Sequence, residues 1–358
     1  MKKNEPHFGE LPLPPFYDAA AAGRSTYRPD QQLLFETALE WRDRHHIAPP
    51  SRDRFKVHLL LIDMQKDFCF PEGSLYVGGR SGRGALEDLD RVARFIYRNL
   101  PNLTEVTCTM DTHYPHQIFF PSFWRDSGGK APPPHTVISA DDVATGRVHP
   151  DPDLADWLCG GDVEWLYNQA EFYCRRLEET GRYALYLWPP HVLLGSEGHG
   201  LAGAVHEARL FHAFARGAED RIEIKGGNPL TENYSVLSPE VLDRYDGGSL
   251  AGKNSALIDR LLGADALLIA GEASSHCVKY TVEDLLSEMD VRDASLARKV
   301  YLLEDCMSAV AVPDPAKEGR FLADFTDQAA DLLARARQAG AHVVTSAEPM
   351  AEWLKGLD

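Results

Sequence analysis

The sequence predicts an α/β protein, an open three-layer α/β/α sandwich around a mostly parallel central sheet. Three observations predict it. Short apolar, β-rich runs recur at 56–62 (KVHLLLI), 105–110 (EVTCTM), 183–188 (YALYLW), 221–224 (RIEI), 266–270 (ALLIA), 299–304 (KVYLLE) and 342–346 (HVVTS). Helical patterns lie between several of them, at 84–99, 201–216, 253–263, 276–289 and 322–338, the last stopped by Gly340. Near-continuous apolar strands alternating with helices mean a parallel sheet covered on both faces. Several runs, finally, end in a residue able to do chemistry, and such sheets bind ligands outside the carboxyl ends of their strands.

Taken in order, residues 1–54 read as an N-terminal arm. GELPLPPFYDAAAAGRSTYRPD is rich in Pro, Gly and small residues, and QQLLFETALEWRDRHH has the pattern of one amphipathic helix. Residues 55–358 read as the α/β domain, interrupted at about 125–182 by a segment that breaks the rhythm. That segment opens with SGGKAPPPH, passes through HPDPD and ends in a helical stretch, DVEWLYNQAEFYCRRLEETG. It reads as an insertion on the core rather than a separate domain.

The 37 Lys and Arg against 54 Asp and Glu give a net charge of -17, with no basic excess to replace counterions on phosphate. Nucleic acid and anionic membrane are therefore not expected partners. No apolar run approaches the length of a membrane span, about 20 residues. The six cysteines (69, 108, 159, 174, 277 and 306) form no CxxC, and the start, MKKNEPHFGELPLPP, lacks the apolar stretch of a signal peptide. Disulfides are not expected, and the expected compartment is the cytoplasm.

The strand ends carry the functional signal. LLLI is followed by Asp63, EVTCTM by Asp111-Thr-His113, YALYL by Trp188-Pro-Pro-His191 and RIEI by Lys225, while LLIAG leads to Cys277. Val278, Val282, Leu285, Leu286 and Met289 repeat at helical spacing, which puts Cys277 in the first turn of a helix. Unpaired N–H groups and the helix dipole favour thiolate there. A nearby lysine would favour it further, and a nearby carboxylate could take the proton. The small residues of GEASSH suit a tight turn whose N–H groups converge on a developing oxyanion. A buried, inert cysteine is the alternative, and position alone leaves both open.

Asp111 and His113 are two apart and face the same way if the strand continues. With His191 they offer one carboxylate and two imidazoles, a set suited to zinc or a similar divalent ion with water in the open positions. A structural Asp–His hydrogen bond is the alternative for that pair. His116, His199, His206 and His212 read as surface or supporting residues. Lys225 alone would be a solvated lysine, and its case rests on the company it keeps.

In this order along the chain, these segments resemble the isochorismatase-like cysteine hydrolases, and within them most the nicotinamidases. LLLIDMQKDFC resembles the family's first strand with its catalytic aspartate and substrate-stacking phenylalanine, here Asp63 and Phe68. MDTH and WPPH resemble the metal segments, with Trp188 as an aromatic wall; IKGGNPLTENYS resembles the lysine segment, placing Tyr234 near the substrate. GEASSHCVKYTVEDL resembles the cysteine signature, whose turn carries a cis peptide, here Glu272–Ala273. The similarity covers roughly 56–124 and 183–346. VLLGSEGHG departs from the family wording, and HYPHQIFF puts either His116 or Gln117 where many nicotinamidases carry a further imidazole.

The resemblance implies the isochorismatase-like hydrolase fold, a triad of Asp63, Lys225 and Cys277, and an oxyanion hole from the N–H groups of Ala273 and Cys277. It implies a substrate pocket walled by Phe68, Trp188 and Tyr234. A divalent ion on Asp111, His113 and His191 is implied too, zinc first, with iron or manganese as alternatives. The implied reaction is hydrolysis of a small carboxamide through a cysteine thioester, nicotinamide to nicotinate and ammonia. A cysteine amidohydrolase of an N-carbamoyl or ureido compound is the alternative within the fold, and a catalytically silent binding or scaffold protein the alternative outside it. The expected partner is a small-molecule amide, and relatives are often homo-oligomers.

Overall fold

The computed structural model describes residues 8–181 and 183–354. Residues 1–7, 182 and 355–358 lie outside the described residues. They take in the start of the predicted arm, the end of the predicted insertion and the end of the predicted α/β domain.

Six strands build the central sheet: β1 Val57–Ile62, β2 Glu105–Asp111, β3 Asp220–Lys225, β4 Ala266–Gly271, β5 Val300–Leu303 and β6 His342–Val344. Their order is β6-β5-β4-β1-β2-β3, and every pairing is parallel. β1 and β4 lie side by side at the centre, and every residue of both is buried. Burial on two faces is why LLLI and LLIA are continuous rather than alternating. The edge strand β3, by contrast, leaves Ile222 and Ile224 exposed.

Seven helices of eight residues or more accompany the sheet among the described residues: α1 Gln31–His45, α2 Gly84–Arg98, α3 Val163–Thr180, α4 Gly203–Arg216, α5 Ser255–Leu262, α6 Cys277–Asp293 and α7 Thr326–Ala339. The chain runs from β1 outward to β2 and β3, then returns to β4 and runs the other way to β5 and β6. Right-handed crossovers in opposite directions put their helices on opposite faces. Accordingly α1, α2 and α4 pack together, and α6 packs with α5 and α7. The three layers follow. Between β1 and β4 the connections diverge, and the crevice at their carboxyl ends is the topological switch point.

Residues 11–17 lie over α2 and α4. Leu11 N donates to Arg98 O (2.8 Å), Tyr17 Oη to Asp90 Oδ1 (2.5 Å), and Phe16 packs against Tyr97 and Phe211. α1 is capped by Asp30, whose side chain accepts from Leu33 N. All six cysteines are free, and no described helix is long and apolar enough to cross a membrane.

Three expectations are corrected. In the run 183–188 only Leu185–Tyr186 is strand, and it pairs antiparallel with Val137–Ile138 rather than joining the central sheet. The neighbouring edge of β2 is already taken by β3, and Leu187 N finds its acceptor in Thr136 O (2.8 Å). In 322–338 the helix begins at Thr326, because Phe321–Asp324 forms a hairpin with Ala311–Pro313 and Asp324 Oδ1 accepts from Thr326 N (3.1 Å). His212 is a core residue, its Nε2 2.8 Å from Leu103 O.

Candidate active site

The loops at the ends of β1 to β4 bring the strand-end residues together. Asp63 follows β1 with φ 47°, in the left-handed region, and is held there by Thr109, which accepts from Asp63 N (3.0 Å) and donates to its Oδ1 (2.5 Å). Asp111 ends β2, Lys225 ends β3, and the parallel register makes them direct partners. Cys277 is the first residue of α6. From below, Lys225 Nζ lies 2.9 Å from Asp63 Oδ2, 3.1 Å from Asp111 Oδ1 and 3.6 Å from Cys277 Sγ, and donates to Asn233 O (2.9 Å). Its contacts to the two carboxylates are ion pairs.

Two glycines permit this convergence. A Cβ on Gly271 (φ 119°) would stand 2.1 Å from Ile62 O, so β4 could not turn toward β1 there with any side chain. One on Gly226 (φ 84°) would meet Asp111 Oδ1 at 2.4 Å.

Burial dominates the electrostatics. It raises the Asp63 carboxyl, against the pull of Lys225, and so makes Asp63 a stronger base. Burial alone would lower Lys225, but Asp111, Asp63 and Cys277 hold it well above the usual lysine value. Burial also raises the Cys277 thiol well above its ordinary value, with Lys225 the one group pulling it down. Desolvation thus opposes the lysine and the helix terminus and favours the thiol at rest.

Asp111, His113 and His191 are buried, with candidate ligand atoms within 4.8 Å of one another. His113 Nε2 is 3.0 Å from Asp111 Oδ2. Each imidazole has its Nδ1 at a backbone carbonyl, His113 at Gly226 O (3.2 Å) and His191 at Pro189 O (2.8 Å). That leaves both Nε2 atoms for a shared ligand, the usual support of metal-bound histidine. Burial lowers His191 to about 3, so it is a neutral imidazole. One carboxylate and two neutral-capable imidazoles, with Asp111 Oδ1 lacking a hydrogen bond, fit a divalent cation. Of the two residues competing for the further position, His116 turns toward Ser122 O (3.4 Å), whereas Gln117 is buried and donates to Gly226 O (2.8 Å), beside His113.

Above these groups is a small pocket. Phe68, Trp188, Tyr234, Ala273 and Cys277 line it together with Asp111, His113 and His191. Trp188 Nε1 donates to Tyr234 Oη (2.8 Å), and Phe68 meets His191 edge-on at 5.5 Å. The Glu272–Ala273 peptide is cis. Among the described residues, no turn or cap hydrogen bond takes the N–H of Ala273 or of Cys277, while Ser274 N donates to Ser308 O and Val278 N to Ala273 O.

Sequence reasoning missed several residues. His276 borders the pocket with its Nδ1 at Ser275 Oγ (2.9 Å), and burial holds it neutral, down to about 3. Its place directly before Cys277 was the available signal. Gln65 clamps Asp111 from both sides, accepting from Asp111 N and donating to Asp111 O, each at 2.8 Å. Asp67 accepts from Val192 N (2.7 Å) and so fixes the loop carrying His191. No described residue of 125–182 lines the pocket. The segment braces it from behind: Tyr173 Oη accepts from Glu232 N (3.1 Å), and Val137–Ile138 pairs with the strand leading to Trp188.

No protein-family model matches the chain. In sequence it is similar to the nicotinamidase of Escherichia coli (strain K12), 33% identical over 104 residues, which is 28% of this chain and 39% of that protein. The match thus spans well under half of that relative's length. Among solved structures it is similar to an Acinetobacter baumanii nicotinamidase/pyrazinamidase (16% identity, 82% of this chain and 98% of that one, TM-score 0.47). It is also similar to the yeast nicotinamidase bound to the inhibitor nicotinaldehyde (17%, 81% and 99%, TM-score 0.47) and to the pyrazinamidase of Pyrococcus horikoshii in complex with zinc (17%, 81% and 99%, TM-score 0.42). With TM-scores below 0.5, the fold stands on the strand order and register described above. The chain resembles the isochorismatase-like cysteine hydrolases and, within them, the nicotinamidases.

Proposed function

We propose that the protein is an amidohydrolase that converts nicotinamide to nicotinate and ammonia through a thioester on Cys277. One observation carries the reading: Asp63, Lys225 and Cys277 converge beneath a small aromatic pocket whose wall holds Asp111, His113 and His191. Asp63 takes the Sγ proton as sulfur attacks the amide carbon, and Lys225, 3.6 Å from Sγ, offsets the negative charge that appears. The N–H groups of Ala273 and Cys277 hold the oxyanion. As the C–N bond breaks, Asp63 returns the proton to the leaving nitrogen and ammonia departs. Asp63 then accepts a proton from water, whose oxygen attacks the thioester; as the C–S bond breaks Asp63 passes that proton to sulfur, restoring the thiol, and the acid product leaves and loses its remaining proton to solvent. Phe68 and Trp188 flank a flat ring, and Tyr234 fixes Trp188.

Asp111, His113 and His191 would hold a divalent ion, zinc by the donor set. When bound, such an ion supplies a Lewis-acid contact that orients the ring nitrogen of the substrate. In the same reading residues 1–54 are an arm whose described part braces α2 and α4, and 125–182 an insertion whose described part braces the pocket wall.

The test is ammonia release from nicotinamide, with Cys277→Ala as control. Turnover abolished by the substitution supports the reading. No turnover, with Cys277 alkylated by iodoacetamide faster than the other five cysteines, redirects it to N-carbamoyl or ureido amides. No turnover and uniformly slow alkylation favour a silent member of the fold.

A further inference from the structure

We propose that Glu272 is a positioning residue for this site: its carboxyl shares one proton with Asp88 and so ties the turn that carries the Ala273 N–H to α2. The inference rests on the amidase reading above. An acid is out of place in this turn. Glu272 is 1% exposed, directly precedes Ala273 and borders the pocket, where an apolar residue would cost nothing to bury. Asp88, on α2, is 2% exposed, and Ser308 binds both carboxyls at once, its N–H at Glu272 Oε2 and its hydroxyl at Asp88 Oδ2, which sets the two acids against each other. Two buried carboxyls in contact cannot both be ionised and hold together by sharing a proton.

The surrounding donors say where that proton sits. Asp88 receives Arg91 Nη1 at Oδ1 (3.1 Å) and Ser308 Oγ at Oδ2 (2.5 Å), two donors that stabilise its charge. Glu272 receives only Ser308 N at Oε2 (3.2 Å), and its Oε1 is buried with no donor. Oε1–H therefore donates to Asp88. Burial lifts Asp88 to about 6 against the pull of its donors, whereas burial and Asp88 together lift Glu272 well above the usual carboxyl range. Ser308 closes the bracket, because its carbonyl also accepts from Ser274 N (2.8 Å). The residues on both sides of Ala273 are thus pinned to one anchor. The ionisable groups facing Glu272 are Asp88 with Arg91 from α2, and Cys69 and Tyr76 from the segment after β1. None of them supplies a positive charge to Glu272 itself. When Glu272 ionises at high pH, two carboxylates repel where one bond held the turn, and the Ala273 N–H loses its aim.

Three variants test this: Glu272→Gln, Glu272→Leu and Asp88→Asn. The glutamine amide donates to Asp88 and accepts from Ser308 N, so Glu272→Gln keeps kcat within about 3-fold and lacks the alkaline loss of kcat seen in the wild type. Glu272→Leu lowers kcat about 10- to 100-fold with KM nearly constant, as loss of one aimed oxyanion donor does. Its Cys277 is alkylated by iodoacetamide at close to the wild-type rate, because that displacement forms no oxyanion. Asp88→Asn donates to an ionised Glu272 and moves the alkaline limb. Independently of turnover, the wild type at neutral pH shows an infrared carboxylic-acid band that Glu272→Gln removes. A missing band, a fully active Glu272→Leu, or a Glu272→Gln as damaged as Glu272→Leu overturns the inference. A wild type that turns over no amide refutes the reading beneath it as well, which separates the two failures.

Discussion

Replacing Lys225 by Met keeps the volume of the stem and removes the ammonium that lies 3.6 Å from Cys277 Sγ. At an effective dielectric of about 20, unit charges 3.6 Å apart interact by about 4–5 kcal/mol, roughly a thousandfold in the thiol's ionisation equilibrium. The sign is fixed by the site: burial already raises the thiol and Lys225 opposes that rise, so its loss pushes the thiol further up. Part of the effect is given back. Asp63 and Asp111, left facing each other without Lys225, take up a proton between them, which removes one negative charge near sulfur. The net expectation is a fall of about 10²- to 10³-fold in the rate of Cys277 alkylation by iodoacetamide, at any pH below both thiol pKa values. Alkylation is followed by peptide mapping, with wild type and variant treated with the same chelator beforehand. A variant alkylated within about 3-fold of the wild type would refute the assignment of Lys225 as the group that stabilises the thiolate.

Gly271→Ala destabilises by several kcal/mol, because the new Cβ would lie 2.1 Å from Ile62 O at φ 119°; the thermal unfolding midpoint falls sharply, and an unchanged midpoint would contradict the packing of β4 on β1. Trp188→Phe removes the 2.8 Å bond to Tyr234, worth about 1 kcal/mol, and raises KM roughly 5-fold with little change in kcat. His191→Ala leaves one carboxylate and one imidazole; bound metal measured by elemental analysis falls by at least 10-fold, while Cys277 still alkylates. Glu272 links folding to pH. A carboxyl raised in the folded state contributes its stability below the unfolded value, about 4.3, and loses it as pH climbs toward the folded value. Unfolding midpoints measured against pH therefore decline above about 4.5 in the wild type, and the slope is shallower in Glu272→Gln.

Much of the architecture was legible from local pattern. The runs at 56–62, 266–270 and 299–304 became strands because a strand buried on both faces must be apolar throughout, and the runs at 105–110, 221–224 and 342–346 became β2, β3 and β6. The start of α6 at Cys277 followed from the spacing of Val278, Val282, Leu285 and Met289. Asp63, Asp111 and Lys225 could be singled out because a polar residue closing an apolar run stands at the mouth of the sheet. The run at 183–188 shows where pattern stops. Its composition fits a strand, but which strand it joins depends on an open edge, and Val137–Ile138 supplied one that the central sheet did not.

The sequence by itself therefore determined the layers, the order of elements and the residues placed at strand ends, since these depend on which side chains must leave water. Only the tertiary structure decided what those residues touch. Asp111 stands beside Lys225 because β2 and β3 pair in one register, and Cys277 reaches Lys225 because Gly271 lets β4 crowd β1. Gln65 clamps Asp111, and Glu272 meets Asp88, across elements far apart in the chain. Burial also opposes the local preference at Cys277. The helix terminus favours thiolate, but the depth of burial, which no stretch of sequence states, favours the thiol. Register, close approach and desolvation are set by contacts between distant segments, and periodicity within one segment carries no record of them.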